Sequence, residues 1–146
     1  MSIILAGILG RNDQPIPTEF RLEYRDRVIA VATLHTRQED DVLIAYIKDV
    51  RIIDESRITN LGQELTELVT NPNNQKIVLN FENVSFMSSA MIGKLVLFGN
   101  KCKSAKVSLR MCNINENVDE VFQLMKLGKV FSLDADEKTA LGNMSN

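Results

Sequence analysis

Ile77-Val78-Leu79-Asn80-Phe81-Glu82-Asn83-Val84-Ser85-Phe86-Met87-Ser88-Ser89-Ala90-Met91-Ile92-Gly93-Lys94-Leu95 is the stretch whose reading decides the fold. From Lys76 to Phe81 it is a short apolar run, bounded by polar punctuation, and reads as a strand. After Phe86 the period changes. Ile92, Leu95, Val96 and Gly99 fall on one helical face with Met91 and Phe98 flanking it, which predicts a helix from about Ser89 to Lys103. The serine pair Ser88-Ser89 stands where strand gives way to helix. A serine hydroxyl there can accept a hydrogen bond from a free N–H of the first turn.

Working outward, Ile58, Leu61, Leu65, Leu68 and Val69 also mark one helical face. Asp54 is placed to cap that helix, Glu55 lies in its first turn, and Asn71-Pro72-Asn73-Asn74 stops it. Helix, strand and helix joined by short connections suggest β-α-β units, and so parallel strands with right-handed crossovers. Further upstream, Val28 to Leu34 and Val42 to Ile47 read as two strands separated by a polar turn, Gln38-Glu39-Asp40-Asp41, with Val50 to Ile53 following closely. The first two form an expected antiparallel pair. Downstream, Val107 to Cys112 alternates as a half-buried strand. Asn117 with Glu120 resembles a capping box for a helix striped by Val118, Val121, Phe122 and Met125, and Gly128 is the expected C-cap. Val130 to Leu133 is a candidate edge strand and Asp136 to Leu141 a terminal helix. The class is α/β: a mixed β-sheet of about four to five strands with helices packed mainly on one face.

The chain has 146 residues, close to one domain's worth. Pro15 and Pro17 punctuate the start. This divides the chain into an N-terminal extension, residues 1–27, and a domain, residues 28–146. A net charge of -2 argues against sequence-independent nucleic-acid binding. With one His and two Cys in the whole chain, neither a zinc site nor a disulfide framework is expected, and no cofactor is called for. The apolar start, Met1 to Gly10, is ended by Arg11-Asn12-Asp13, too early for a membrane span. No positive charge precedes it, as a signal peptide would require. A reducing cytoplasm is the expected compartment. The composition favours a binding, switching or scaffold domain over an enzyme.

The segment from Ile77 to Leu95 resembles the STAS domain of bacterial anti-sigma factor antagonists: a hydrophobic strand, a turn, Val-x-Phe, then paired serines opening a helix. The resemblance extends through Val107 to Met111 and Val118 to Phe131, and covers about Val28 to Leu141. The family most often has Asp before the first serine and Gly after the second; here Met87 and Ala90 stand there. The resemblance implies a non-enzymatic switch that binds a serine-kinase anti-sigma factor and so frees a sigma factor. It implies phosphorylation of Ser88, or of its neighbour Ser89 as second choice, reversed by a phosphatase. The implied partner surface comprises Asp54, Ser56, Asn83, Ser85, Met87, Ser88, Ser89, Met91 and Ile92.

A phosphate adds roughly -1.5 to -2 charge. A helix N-terminus accommodates it, so the fold survives while a partner pressed on the surface is repelled. The alternative function is a scaffold or oligomerisation module, a homodimer included, that uses the same fold without phosphorylation; Met87 favours it. A hydrolase using Ser88 as nucleophile lacks a plausible base, since His35 is the only histidine. Cys102 and Cys112 lack the Cys-x-x-Cys spacing of a redox pair, and read as buried thiols. His35, the acidic run Glu39-Asp40-Asp41 and the cluster Lys101, Lys103 and Lys106 read as solvated surface. Met87, Met91, Met111 and Met125 read mostly as core filling.

Overall fold

The computed structural model describes residues 32–144. Strands β1 (Leu34–Glu39) and β2 (Val42–Ile47) form an antiparallel hairpin around Asp40-Asp41. Asp40 takes the left-handed conformation, φ 54°, that so short a hairpin turn demands. Helix α1 (Glu55–Thr70) follows a two-residue strand, β3 (Arg51–Ile52). Next come β4 (Lys76–Asn80), a second two-residue strand, β5 (Phe86–Met87), and helix α2 (Ser89–Ser104). The chain continues through β6 (Ser108–Cys112), α3 (Glu116–Leu124), a 3-10 turn (Leu127–Lys129), β7 (Leu133–Asp134) and α4 (Glu137–Met144). The main sheet has the order β1-β2-β4-β6-β7, parallel from β2 onward. β3 and β5 form a separate parallel pair.

The strand period of two sorts the main sheet's side chains onto two faces. Ala45, Ile47, Ile77, Leu79 and Met111 face one apolar cluster, which the buried residues of α1, α2 and α3 complete. The alternate residues Val42, Ile44, Val78 and Cys112 form a smaller cluster with Ala140 and Met144 of α4. Among the described residues, three helices cover one face and one short helix the other, in line with the expected α/β class. Glu137 opens α4 and clasps the second face: its carboxylate accepts from the Tyr46 hydroxyl, Asn80 Nδ2 and Arg37 Nη2. Burial, and then the bond to Glu137, hold the Tyr46 phenol above its ordinary pKa.

Several expected boundaries move, each for a physical reason. Of Val28 to Leu34, residues up to Val31 lie outside the described residues. The hairpin's first strand is Leu34–Glu39, so Gln38 and Glu39 belong to a strand and the turn shrinks to Asp40-Asp41. That strand is an edge with exposed side chains from His35 to Glu39, and so carries no apolar signal. The cap of α3 is Asn115, not Asn117: its Oδ1 accepts from Val118 N at 2.9 Å. The left-handed position after α3 belongs to Lys126, φ 58°, and Gly128 sits inside the 3-10 turn. The last strand is Leu133–Asp134, and the last helix runs from Glu137 to Met144 behind Asp136, whose carboxylate accepts from Thr139 N at 2.8 Å. Val96, predicted on the core face of α2, is only half-buried; Met91, Ile92, Leu95, Phe98 and Cys102 supply that face.

Gly99 has a steric role. A Cβ at Gly99 would lie 2.7 Å from Phe131 Cε1, closer than carbon atoms tolerate. Phe131 is pinned in turn, with Phe122 at 5.9 Å between ring centroids and Phe81 beyond it, edge-on to Phe122 at 6.5 Å. Gly99→Ala is expected to cost about 1–3 kcal/mol by overpacking. Chemical denaturation of the single variant and of Gly99→Ala in a Phe131→Leu background checks this. The cost of the alanine must shrink once the ring is removed.

Candidate functional site

The short pair β3 and β5 decides what stands next to what. Arg51 lies opposite Phe86 and Ile52 opposite Met87. Ser85 N donates to Val50 O at 2.8 Å and Ser88 N donates to Ile52 O at 3.0 Å, so the ladder reaches past both ends of the formal strands. Each strand then runs almost directly into a helix, β3 into α1 and β5 into α2. Two helix N-termini are thereby set side by side, and the helices behind them pack on one another. A third start is tied in: Asn115, the cap of α3, donates from Nδ2 to Ser85 O at 3.2 Å. Backbone N–H groups not satisfied within their helices collect on one surface, which favours anions there.

Both expected caps are in place. Asp54 Oδ2 accepts from Arg57 N at 3.3 Å and from Ser56 Oγ at 2.6 Å. The Ser56 hydroxyl, then the Arg57 N–H, hold the Asp54 carboxyl below its ordinary pKa of 3.8. Arg57 is itself forked onto Asp49, Nε to Oδ2 at 2.8 Å and Nη2 to Oδ1 at 2.7 Å, which braces the approach to α1. Ser88 has extended backbone, φ -76° and ψ 165°, and its Oγ accepts from Met91 N at 3.3 Å. Ser88 is half-buried, whereas Ser89, the first residue of the helix, is exposed.

The expected partner surface divides in two. Asp54, Ser56, Asn83 and Ser89 are exposed, and Ser85 and Ser88 are half-buried at the same end of the fold. Met87, Met91 and Ile92 instead belong to the core, with 2%, 0% and 0% of their surface exposed. The cause is geometric: in β5 Phe86 points out and Met87 in, and the first turn of α2 directs Met91 and Ile92 onto the sheet. These three hold the site up from below and offer no contact area. The exposed apolar area comes from Val50, Ile53 and Phe86, 55%, 50% and 37% exposed. The Arg51 guanidinium lies 5.2 Å from the Phe86 ring centroid. A longer alternating pattern would have revealed these residues, but two-residue strands are too short to show one.

Residues considered for other chemistry are placed elsewhere. Cys102 and Cys112 are buried in different apolar clusters and are not bonded to each other. Burial pushes both thiols up to about 12, away from the reactive thiolate. His35 is exposed on β1 opposite Tyr46. Among the described residues, no group of three or more His, Cys, Asp or Glu is placed to hold a metal ion, and no helix is long and apolar enough to cross a membrane.

Comparison with known proteins gives a consistent picture. The family model described as STAS domain matches residues 34–140. An anti-sigma-factor antagonist (STAS) domain protein from Planctomyces limnophilus superimposes with a TM-score of 0.69 at 19% identity, over 79% of this chain and 99% of that one. An anti-sigma factor antagonist from Mycobacterium paratuberculosis gives 0.68 at 19% identity, over 78% and 94%. The Bacillus cell fate determinant SpoIIAA in its phosphorylated form gives 0.59 at 16% identity, over 75% and 97%.

Two cap substitutions follow from the geometry. Ser88→Ala is expected to destabilise the domain by about 1 kcal/mol through loss of the bond to Met91 N, measured by chemical denaturation. Asp54→Asn keeps a capping side chain and removes only the charge. Because the folded carboxyl gives up its proton more readily than the unfolded one, the charge stabilises the fold at neutral pH. That contribution fades as the pH drops below 3.8 and through the lowered folded value. The melting-temperature gap between wild type and Asp54→Asn should therefore be widest at neutral pH and narrow steadily as the pH falls below 3.8.

Proposed function

This chain belongs to the STAS domain family, and on that premise we propose that it is an anti-sigma factor antagonist. It binds a serine-kinase anti-sigma factor and is released from it when a serine at the start of α2 is phosphorylated. The observation that carries this reading is the serine pair itself. Ser88 and Ser89 lie at the N-terminus of α2, beside the start of α1 and next to the exposed Val50, Ile53 and Phe86. An apolar patch rimmed by polar groups suits a protein partner. Solved anti-sigma factor antagonists of the same fold support the partner class, and a phosphorylated one supports the mode of control.

The two serines divide the work. Ser88 spends its hydroxyl on the cap and is half-buried, so Ser89, exposed and one residue further on, is the accessible acceptor. A phosphate on Ser89 gains from the free N–H groups of the first turn, and the domain stays folded. The partner meets new charge and bulk in the middle of its contact area and leaves. Position 87 cannot present an acid to the kinase, because Met87 is in the core. Recognition then rests on the exposed apolar residues and on the Asp54 side of the surface. The chain performs no chemistry of its own: a partner kinase adds the phosphate, a phosphatase removes it, and the exchange takes place in the cytoplasm.

The full chain, incubated with a serine-kinase anti-sigma factor and ATP with magnesium, is expected to gain one phosphate on the peptide spanning Ser88 and Ser89. Ser89→Ala removes that gain and Ser88→Ala keeps it. Phosphorylation is expected to weaken binding to the anti-sigma factor about tenfold or more, read by calorimetry. No phosphate with any such kinase, together with a stable homo-oligomer on sizing, sinks the switch and leaves the scaffold role.

A further inference from the structure

Helix α2 carries three cations, Lys94, Lys101 and Lys103, and no carboxylate anywhere along its length, in a chain whose net charge is -2. Two of them lie on one stripe. Lys94, Leu97 and Lys101 recur at spacings of three and four, and all three are exposed, Leu97 to 57%. They form one wall of a groove whose other wall is α1. That opposite wall is uncharged: Thr59, Gly62, Gln63 and Thr66. Gly62 leaves room for the Lys94 stem, since a Cβ there would stand 3.2 Å from Lys94 Cδ. The Lys101 ammonium donates to Thr66 Oγ1 at 3.2 Å, a neutral partner. Among the described residues, neither Lys94 nor Lys101 has an acidic partner. Glu55 and Glu67 of α1 do not line the groove.

A solvated lysine needs no partner, and one exposed leucine means nothing by itself. The combination is more specific. Two cations without acidic partners, one heptad apart and about 10 Å along the axis, flank an exposed leucine beside an uncharged wall. We propose that this groove takes an acidic amphipathic helix of a partner protein. That helix carries carboxylates one heptad apart, to meet Lys94 and Lys101, and an apolar residue between them, to cover Leu97. A nucleic acid would use the lysines but leave Leu97 uncovered, and a flat anionic membrane could cover Leu97 but would leave the Thr59, Gly62 and Thr66 wall untouched. This surface lies on the flank of the two helices, apart from the serine pair, so it stands whether or not the proposed switch does.

The probe is a lactam-stapled helical peptide of about four turns with glutamates one heptad apart and a leucine between them, titrated into the isotope-labelled full chain. Saturable binding is expected, with amide shifts concentrated at Thr59, Gly62, Thr66 and Leu97. Lys94→Glu combined with Lys101→Glu is expected to weaken it about tenfold or more. The peptide with lysine in place of glutamate should bind that double variant in preference to wild type. Leu97→Ala should weaken binding at unchanged salt dependence. Equal binding to wild type and double variant, shifts centred elsewhere, or binding only to phosphatidylglycerol vesicles or to RNA would each overturn the proposal. None of these readouts involves Ser88 or Ser89, so failure of the switch does not decide the outcome.

Discussion

The backbone ladder between β3 and β5 is the constraint on which the functional end of this domain depends. It is short, two residues a strand with a hydrogen bond beyond each end. Its effect is large because each strand leads within two residues into a helix. A register fixed at Ile52 and Met87 fixes where α1 and α2 begin, and so where Asp54 and Ser88 stand. Asn115 extends the arrangement to α3 through its bond to the carbonyl of Ser85. Three helix starts, with their unsatisfied N–H groups, are thus gathered by a handful of main-chain bonds. The apolar side chains one might expect to find on such a surface, Met87, Met91 and Ile92, are spent beneath it in keeping those bonds dry.

Most of the scaffold was legible in the sequence because most of it obeys one period at a time. The face of α1 and the strands β4 and β6 follow directly from apolar spacing, and the caps Asp54 and Ser88 from residue type at a helix start. What escaped has a common cause: tertiary contacts outweigh local preference. β1 is an edge strand held by pairing, not by burial. Asn115 wins over Asn117 because it reaches both Val118 N and the Ser85 carbonyl. Lys126 accepts a left-handed backbone, at roughly 1–2 kcal/mol, so that Leu127 can bury in the core. A glycine two residues on was the better local candidate, and it is not the residue used.

The candidate site was legible in location but not in composition. Paired serines before an apolar helix point to the start of α2, and the resemblance points to the same place. Which side chains face outward depends on strand alternation, and two residues are too few to display it. Val50, Ile53 and Phe86 are therefore not visible as surface, while Met87, Met91 and Ile92, which the resemblance places on the partner surface, are core. The groove between α1 and α2 illustrates a different limit. The three lysines of α2 are visible in the sequence, but that no acid among the described residues lines the groove opposite Lys94 and Lys101 is a property of the packed pair.

The clasp made by Glu137 separates the domain's two faces in their motions as well as in their packing. α4 is anchored through a small apolar cluster, a carboxylate accepting from three donors and Asn143 Nδ2, which donates to Asp134 Oδ1 at 2.7 Å, and none of the residues of that cluster belongs to the larger core. Its undocking is a local opening, cheaper than global unfolding, and it leaves the helix starts on the opposite face where they were. Amide protons of α4 would exchange with solvent by that route, ahead of those of β4 and α2. The helix that covers the second face is thus anchored separately from the helix starts on the first, and it is the described helix farthest in chain order from the paired strands.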